Sequence, residues 1–335
     1  MSRYATIIGT GMYVPEKEIS NATFAEWMGA MSPKLAEVVG KFEASTGITR
    51  RFYAPDDWAT SDLAVEAGKK ALADAGITPE QVDLIILGTD SPDYITPATS
   101  VVVQYKLGCV NAGTWDVGCA CASFPTGLTQ AAGLIATNPN IKYILVIGAY
   151  MMHKLADPQH DLTSFFYGDG AGAAVLTAAD KPGFISSSIK ADGSYHKHWG
   201  IYSGGTFEPA TCESIEAGRT KVKLLTAFPA TVNNEGWPAR TRECAANGNF
   251  AVQDIDFMIF TQVNLSTIKL VMADLGLPIE KTHWIMDKWG YTGSACLPMA
   301  FHDALKLGKI KSGDLVMLVG SGVGYNQAAT AFRMP

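Results

Sequence analysis

Short apolar runs alternate along this chain with longer stretches in which apolar positions return every three or four residues. Ala5–Ile8, Leu84–Leu87, Tyr143–Ile147 and Ala171–Leu176 are continuous runs bounded by Gly or Asp, which predicts strands buried on both faces. Ser61–Ala75 sets Leu63, Ala64, Ala67, Ala71 and Leu72 on one helical face, and Gly76 is a suitable residue to end that helix. The order strand, helix, strand predicts a largely parallel sheet covered on both faces.

The second half repeats the plan. Phe257–Phe260 reads as a strand, followed by a helix near Ser266–Asp274. Thr282–Met286 reads as another strand, then come a Gly-rich turn and a helix over Ala295–Leu307. Leu315–Val319 is a last strand running into Gly320-Ser-Gly-Val-Gly324. Two similar α/β halves, 1–180 and 181–335, are therefore expected. Ser187–Val232 is loop-rich, with Gly193, Gly200, Gly204, Gly205 and Gly218, and is expected to cover a cleft.

Composition narrows the class. With 335 residues, 47% apolar and 17% charged, the chain can bury a large core without disulfides or a structural metal. A net charge of −6 leaves no basic footprint, so no nucleic-acid partner is expected. Its longest apolar runs are too short to span a bilayer, and the N-terminus runs into a strand without a signal-peptide pattern. The expectation is a cytoplasmic protein with no membrane partner. Of the six cysteines, only Cys119 and Cys121 lie close together, at a spacing that suits neither zinc nor a redox pair. No metal site is expected.

Those two cysteines sit in the most informative stretch, Trp115-Asp-Val-Gly-Cys-Ala-Cys-Ala-Ser-Phe124. An extended run ends in small residues and passes into a helix-like run, Thr126–Ile135, rich in Leu and Ala. Such a sharp strand-to-helix turn lifts a side chain into a cleft. A Cys there meets unpaired amides and the helix dipole, which favour thiolate, and a thiolate attacks thioesters to give an acyl-enzyme. The residues alone leave open the alternative that both cysteines are buried packing.

The chain resembles the β-ketoacyl-acyl-carrier-protein synthase III group of thiolase-like condensing enzymes. Six segments carry the likeness in family order: Thr46-Gly-Ile-Thr-Arg-Arg51, Asp116–Phe124, Gly168–Leu176, Ala191-Asp-Gly-Ser194, Asp287–Pro298 and Gly320–Gly324. The resemblance implies a duplicated five-layered αβαβα fold, usually a homodimer. It implies Cys121, not Cys119, as nucleophile, with the N–H groups of Cys121 and Gly322 as oxyanion hole. It makes Phe124 the aromatic that shapes the second substrate's approach. Phosphate binding at Gly168–Gly172 is the rival reading of that run, but the P-loop Lys-Ser/Thr is missing.

The departures from the family are as informative. Its His-Gln-Ala-Asn motif aligns with Thr261-Gln-Val-Asn264, so Thr261 replaces the His and Asn264 is kept for substrate binding. Its Gly-Asn-Thr aligns with Gly290-Tyr-Thr292, so Tyr291 replaces the Asn. Both keep a hydroxyl donor, and neither is a good base near neutral pH. At the coenzyme A entrance Lys41 and Ser45 stand for a Trp and an Arg; Lys41 can still meet a phosphate, with Trp27 or Trp58 as a stacking substitute. Thr96 aligns near a large aromatic that crosses the family's dimer interface, which suggests a wider acyl pocket.

Asp90, in Gly88-Thr-Asp-Ser91, aligns with the acid that 3-hydroxy-3-methylglutaryl-CoA synthases use in proton transfer. Its structural alternative is capping of a loop or the next helix. His198, with His196, lies in a loop that borders the acyl pocket in the family, and His153 is a lesser candidate base. The expected function is acyl transfer from an acyl-CoA or acyl-carrier protein onto Cys121 and on to an acceptor, without ordinary malonyl decarboxylation. Coenzyme A thioester enters as substrate, and no cofactor is permanently bound. The alternative is a degenerate subunit in a heteromer with a related thiolase-like chain.

Overall fold

Unbroken burial of Leu84–Gly88 and Leu315–Gly322 places these strands at the centres of two sheets. The computed structural model describes residues 3–335; Met1 and Ser2, at the head of the expected N-terminal half, lie outside them. Through residue 191 the strands are β1 (Tyr4–Tyr13), β2 (Lys17–Ser20), β3 (Arg50–Tyr53), β4 (Leu84–Gly88), β5 (Gly113–Val117), β6 (Tyr143–Tyr150), β7 (Gly170–Ala179) and β8 (Phe184–Ala191). After it come β9 (Trp199–Gly200), β10 (Lys223–Leu224), β11 (Phe257–Phe260), β12 (Leu315–Gly322) and β13 (Asn326–Arg333). The first five helices are α1 (Asn21–Met31), α2 (Pro33–Thr46), α3 (Thr60–Ala75), α4 (Thr99–Leu107) and α5 (Ser123–Thr137). The rest are α6 (Cys212–Glu216), α7 (Val232–Asn247), α8 (Leu265–Asp274), α9 (Met286–Trp289) and α10 (Cys296–Lys306).

One sheet has the order β1-β7-β6-β4-β5, the other β11-β12-β13-β8. Helices α3 and α4 cover the outside of the first sheet, and α7, backed by α8, covers the second. Helices α5 and α10 lie between the sheets and touch both. The result is the expected αβαβα stack of five layers.

The sheets are mixed rather than largely parallel. Parallel pairing is confined to β4 with β5, β4 with β6, and β11 with β12, where helical crossovers link the strands. Strand β13 follows β12 through the tight turn at 323–325 and must run antiparallel, and β7 returns antiparallel to β6 after the excursion of residues 151–169. Thr282–Met286 is not a strand: Thr282 makes one bridge to Met258, and Met286 already starts α9. There the Ile285 N–H goes to Gln262 Oε1 at 2.8 Å instead of to a ladder. The loop-rich region begins later than expected, because Ser187–Ala191 pairs with β13 as an edge strand. No helix of the described residues is long and apolar enough to cross a membrane.

Candidate active site

Parallel strands deliver the residues that follow them to one edge, and ligands bind at that carboxyl edge in open α/β sheets. Asp90 follows β4, Cys121 follows β5, Tyr150 ends β6 and Thr261 follows β11; Gly322 ends β12. All five line one cavity of about 330 Å³, together with Tyr291, Ser321, Asn233 and a largely apolar remainder. The loop-rich region forms much of that remainder through Trp199, Ile201, Val222 and Phe228.

Cys121 stands in a tight turn, Ala120–Ala122, immediately before α5. The bend is strained: Ala120 takes φ 47°, a region that disfavours a residue with a Cβ. It is closed by the Cys119 N–H donating to Ser123 Oγ at 2.9 Å. Gly322 lies flat against it. A Cβ on Gly322 would stand 2.2 Å from the Cys119 carbonyl oxygen and 2.9 Å from the Cys121 nitrogen, so only glycine allows this approach.

The Cys121 sulfur is 3% exposed by residue and hydrogen-bonds to the Tyr291 hydroxyl. Burial pushes its pKa well above the ordinary thiol value, and the nearby Cys296 and Asp90 push it further; Tyr291 pulls the other way. The helix N-terminus does not prevail here. Desolvation of the charged form raises the thiol despite its place before α5, against the direction that sequence reasoning favours.

Tyr291 is fixed from both sides. Its N–H donates to the Phe166 carbonyl at 2.9 Å, and its own carbonyl accepts from the Gly168 N–H at 2.8 Å. Gly290 before it takes φ 77°, where an added Cβ would come within 2.8 Å of Arg51 Cβ. Arg51, fully buried, donates to the Phe165 carbonyl at 2.8 Å and lies over the Phe165 ring, so the Thr-Gly-Ile motif region braces the loop that seats Tyr291. Burial lowers its guanidinium to about 10.

Thr261 is 1% exposed and lines the cavity; its Oγ accepts the Ser321 N–H at 3.0 Å, which leaves the hydroxyl proton for a ligand. Asp90 retains some accessible surface because it faces the cavity, and burial raises its carboxyl above the usual range despite the Ser294 hydroxyl donating to it at 2.6 Å. It caps no helix. The first N–H groups of α4 are taken by Asp116, whose carboxylate accepts from Thr99 and Ser100 at 2.8 Å each. The capping alternative for Asp90 thus belongs to Asp116.

The five other expected substrate residues do not line this cavity. Phe124 is fully buried in the first turn of α5 and packs into the core behind the cavity wall. Asn264 caps α8: its Oδ1 accepts from the Ser266 N–H at 3.0 Å and the Ser266 hydroxyl at 2.6 Å. Lys41 is exposed on α2 and Thr96 is exposed in the loop before α4, and neither lines the cavity. His198 stacks against Phe228, 5.1 Å between ring centres, and so backs the wall rather than facing the ligand space. Trp27 meets Phe24 edge-on and Trp58 stacks on Tyr13, and neither lines the cavity.

Sequence reasoning missed Tyr150, Ser294 and Asn233. Tyr150 packs beside Tyr291 at 6.1 Å, and its hydroxyl is pushed well up by burial and next by Asp90. Its signal was available: an aromatic at the end of a buried run, on the edge where Cys121 and Asp90 also emerge. Among the described residues, no group of three His, Cys, Asp or Glu side chains could hold a metal ion.

Comparison with known proteins now decides the family. A family model described as 3-oxoacyl-[acyl-carrier-protein] synthase III matches residues 115–193, and its C-terminal counterpart matches residues 245–334. The β-ketoacyl-[acyl-carrier-protein] synthase III of Wolbachia pipientis wMel is 36% identical over 322 residues, 95% of each chain. The chain belongs to the β-ketoacyl-[acyl-carrier-protein] synthase III family. A second relative, synthase III 1 of Halalkalibacterium halodurans, is 36% identical over 330 residues, 98% of each chain. The crystal structure of β-ketoacyl-[acyl-carrier-protein] synthase III from Thermus thermophilus superposes with a TM-score of 0.86 at 28% identity, covering 98% of this chain and 99% of that one. The chain is thus a member of an acyltransferase-type family of condensing enzymes with the thiolase-like fold. A silent subunit finds no support, since these relatives are synthases by name over nearly their full length.

Proposed function

We propose that this protein takes an acyl group from an acyl-CoA or acyl-carrier-protein thioester onto Cys121 and passes it to an acceptor without malonyl decarboxylation. The observation that carries the reading is the Cys121 sulfur at a strained bend, hydrogen-bonded to Tyr291 and opening on a cavity beside Gly322. In the first step the sulfur attacks the thioester carbonyl carbon, and the carbon–sulfur bond to the carrier breaks. The thiol proton of Cys121 leaves with the carrier thiol. Backbone N–H groups of Cys121 and Gly322 take the charge that develops on the carbonyl oxygen, a contribution of about 3 kcal/mol per donor. Tyr291 donates to the sulfur as it becomes anionic.

In the second step Asp90 removes a proton from the acceptor, which bonds to the acyl carbon. Thr261 donates its hydroxyl to the carbonyl oxygen that gains charge. The carbon–sulfur bond to Cys121 breaks, and the proton passes from Asp90 to the departing sulfur. A raised carboxyl suits that task, because it lies closer to the operating pH than an exposed Asp. Asn264, Phe124, Lys41, Thr96 and His198 have no part in this scheme. Coenzyme A or the carrier's thiol arm is a substrate, and no resident cofactor is invoked.

The halves 1–180 and 181–335 are each built around one sheet in this reading, which the strand composition of the sheets supports. A cytoplasmic homodimer fits as well. Tyr94 and Ile95 are 57% and 82% exposed just before α4, on which Val101 and Tyr105 are also exposed, an apolar surface that a second copy would cover. Addition of excess acyl-CoA to the enzyme, without an acceptor, is expected to release a burst of close to one free coenzyme A thiol per chain. Steady release from the first seconds with no burst, or no release, would count against an acyl-enzyme.

A further inference from the structure

Asn233 lines the cavity with Cys121, Thr261 and Tyr291, yet no step described above uses it. It stands half-buried in the first turn of α7, and the donors around it decide how its amide points. Trp237 Nε1 can only donate, and it donates to Ser321 Oγ at 2.9 Å. Ser321 therefore accepts from the indole and passes its own proton on, to Asn233 Oδ1 at 2.9 Å. The Tyr325 hydroxyl hydrogen-bonds to the same oxygen. A flipped amide would leave the Ser321 proton without that acceptor and set two N–H groups against two hydroxyls. With the indole on one Ser321 lone pair, the arrangement that gives both hydroxyl protons an acceptor turns Asn233 Oδ1 toward them. Oxygen stays in the wall, and Nδ2, which has no protein acceptor among the described residues, is left to the cavity.

We propose that Asn233 is a substrate-binding residue whose amide N–H donates to a carbonyl oxygen of the acyl thioester. It supplies an amide donor to the cavity wall, and Trp237 acts through Ser321 as its positioning residue. This assignment rests on Cys121 acylation as the first step. A donor held in place by two hydroxyls is preorganised, so it gives up little freedom when the ligand arrives.

The test follows single-turnover acylation of the whole enzyme by acetyl-CoA and octanoyl-CoA, read by intact mass. Asn233→Ala is expected to lower the second-order rate constant about tenfold, the loss of one hydrogen bond in a desolvated site. Asn233→Asp keeps the shape. Its carboxylate accepts from Ser321 and Tyr325 but turns a bare acceptor toward the carbonyl, so it loses more at neutral pH. As pH falls the new carboxyl protonates and can donate, and the ratio of wild-type to Asp rate shrinks, while the ratio to the Ala variant stays level. The Ala ratio serves as the control, because the new carboxylate of the Asp variant also shifts the titration of Cys121, Asp90, Tyr291 and Tyr325, which face it. Wild-type rates in both variants, or an Asp deficit that ignores pH, overturn the assignment. Failure of the wild type itself to acylate would overturn the acyl-enzyme reading instead.

Discussion

Replacement of Asp90 by Asn leaves acylation of Cys121 close to the wild-type rate and lowers transfer to the acceptor by about 10²- to 10⁴-fold, the usual weight of a positioned general base. The two halves of the reaction separate because the carboxylate has no role in thioester exchange, where the proton leaves with the carrier thiol. Asn keeps the size and can still accept from Ser294, which donates to Asp90 Oδ1 at 2.6 Å, so the wall should not collapse. The capping role that would make this change merely structural is filled by Asp116. Intact mass gives the acylation rate, and product formation from the same sample gives transfer. Equal loss of both, with a normal melting transition, would remove Asp90 from the second step.

Tyr291→Phe carries the second large effect, on pH. The thiol of Cys121 is raised by burial first and by the charges of Cys296 and Asp90 next, and the Tyr291 hydroxyl opposes them. Removing that donor takes away a charge-assisted hydrogen bond to the thiolate, worth about 1.5–3 kcal/mol, or roughly one to two pH units. The sign follows from the charge. Thiolate is the acid's conjugate base, so acylation rises with pH through the thiol pKa, and the variant's profile moves to higher pH. At neutral pH its acylation rate falls by about 10- to 100-fold, and the deficit closes in alkaline solution. The ring stays, packed on Tyr150 and held by the loop at Phe166 and Gly168. An unshifted profile would mean that the hydroxyl contact does nothing for the anion.

How much of this was legible in the sequence varies with the range of the interactions. Continuous burial in β4 and β12 comes from runs of adjacent apolar residues, so both could be read locally. The bend at Cys121 was legible for the same reason, since strand, small residues and helix are contiguous there. Sheet direction was not. Strand β13 is antiparallel because a three-residue turn joins it to β12, and an apolar run carries no sign of direction. Residues carried over by position rather than by surroundings fared worst. Asn264 still occupies the aligned place, yet its oxygen is used by the N–H groups of α8, and Phe124 is sealed in the core. Asn233 gave no signal in the letters. Its orientation depends on Trp237, Ser321 and Tyr325, which meet only after α7 packs on the end of β12.

The thiol's state has the same explanation. Helix position alone argues for a thiolate, and that part could be read from residues 117–126. Burial comes from β12 and Tyr291, both distant in the chain, and desolvation raises the thiol.

Everything in the proposed chemistry passes through an acyl group on one sulfur. The direct measurement is intact mass of the full-length protein after exposure to acetyl-CoA and octanoyl-CoA, with peptide mapping of the adduct, for wild type and Cys121→Ala side by side. The account expects a single added acyl group on the peptide that holds Cys121, and no added mass on the variant. An adduct that persists in Cys121→Ala, or one that maps to Cys119, would contradict it.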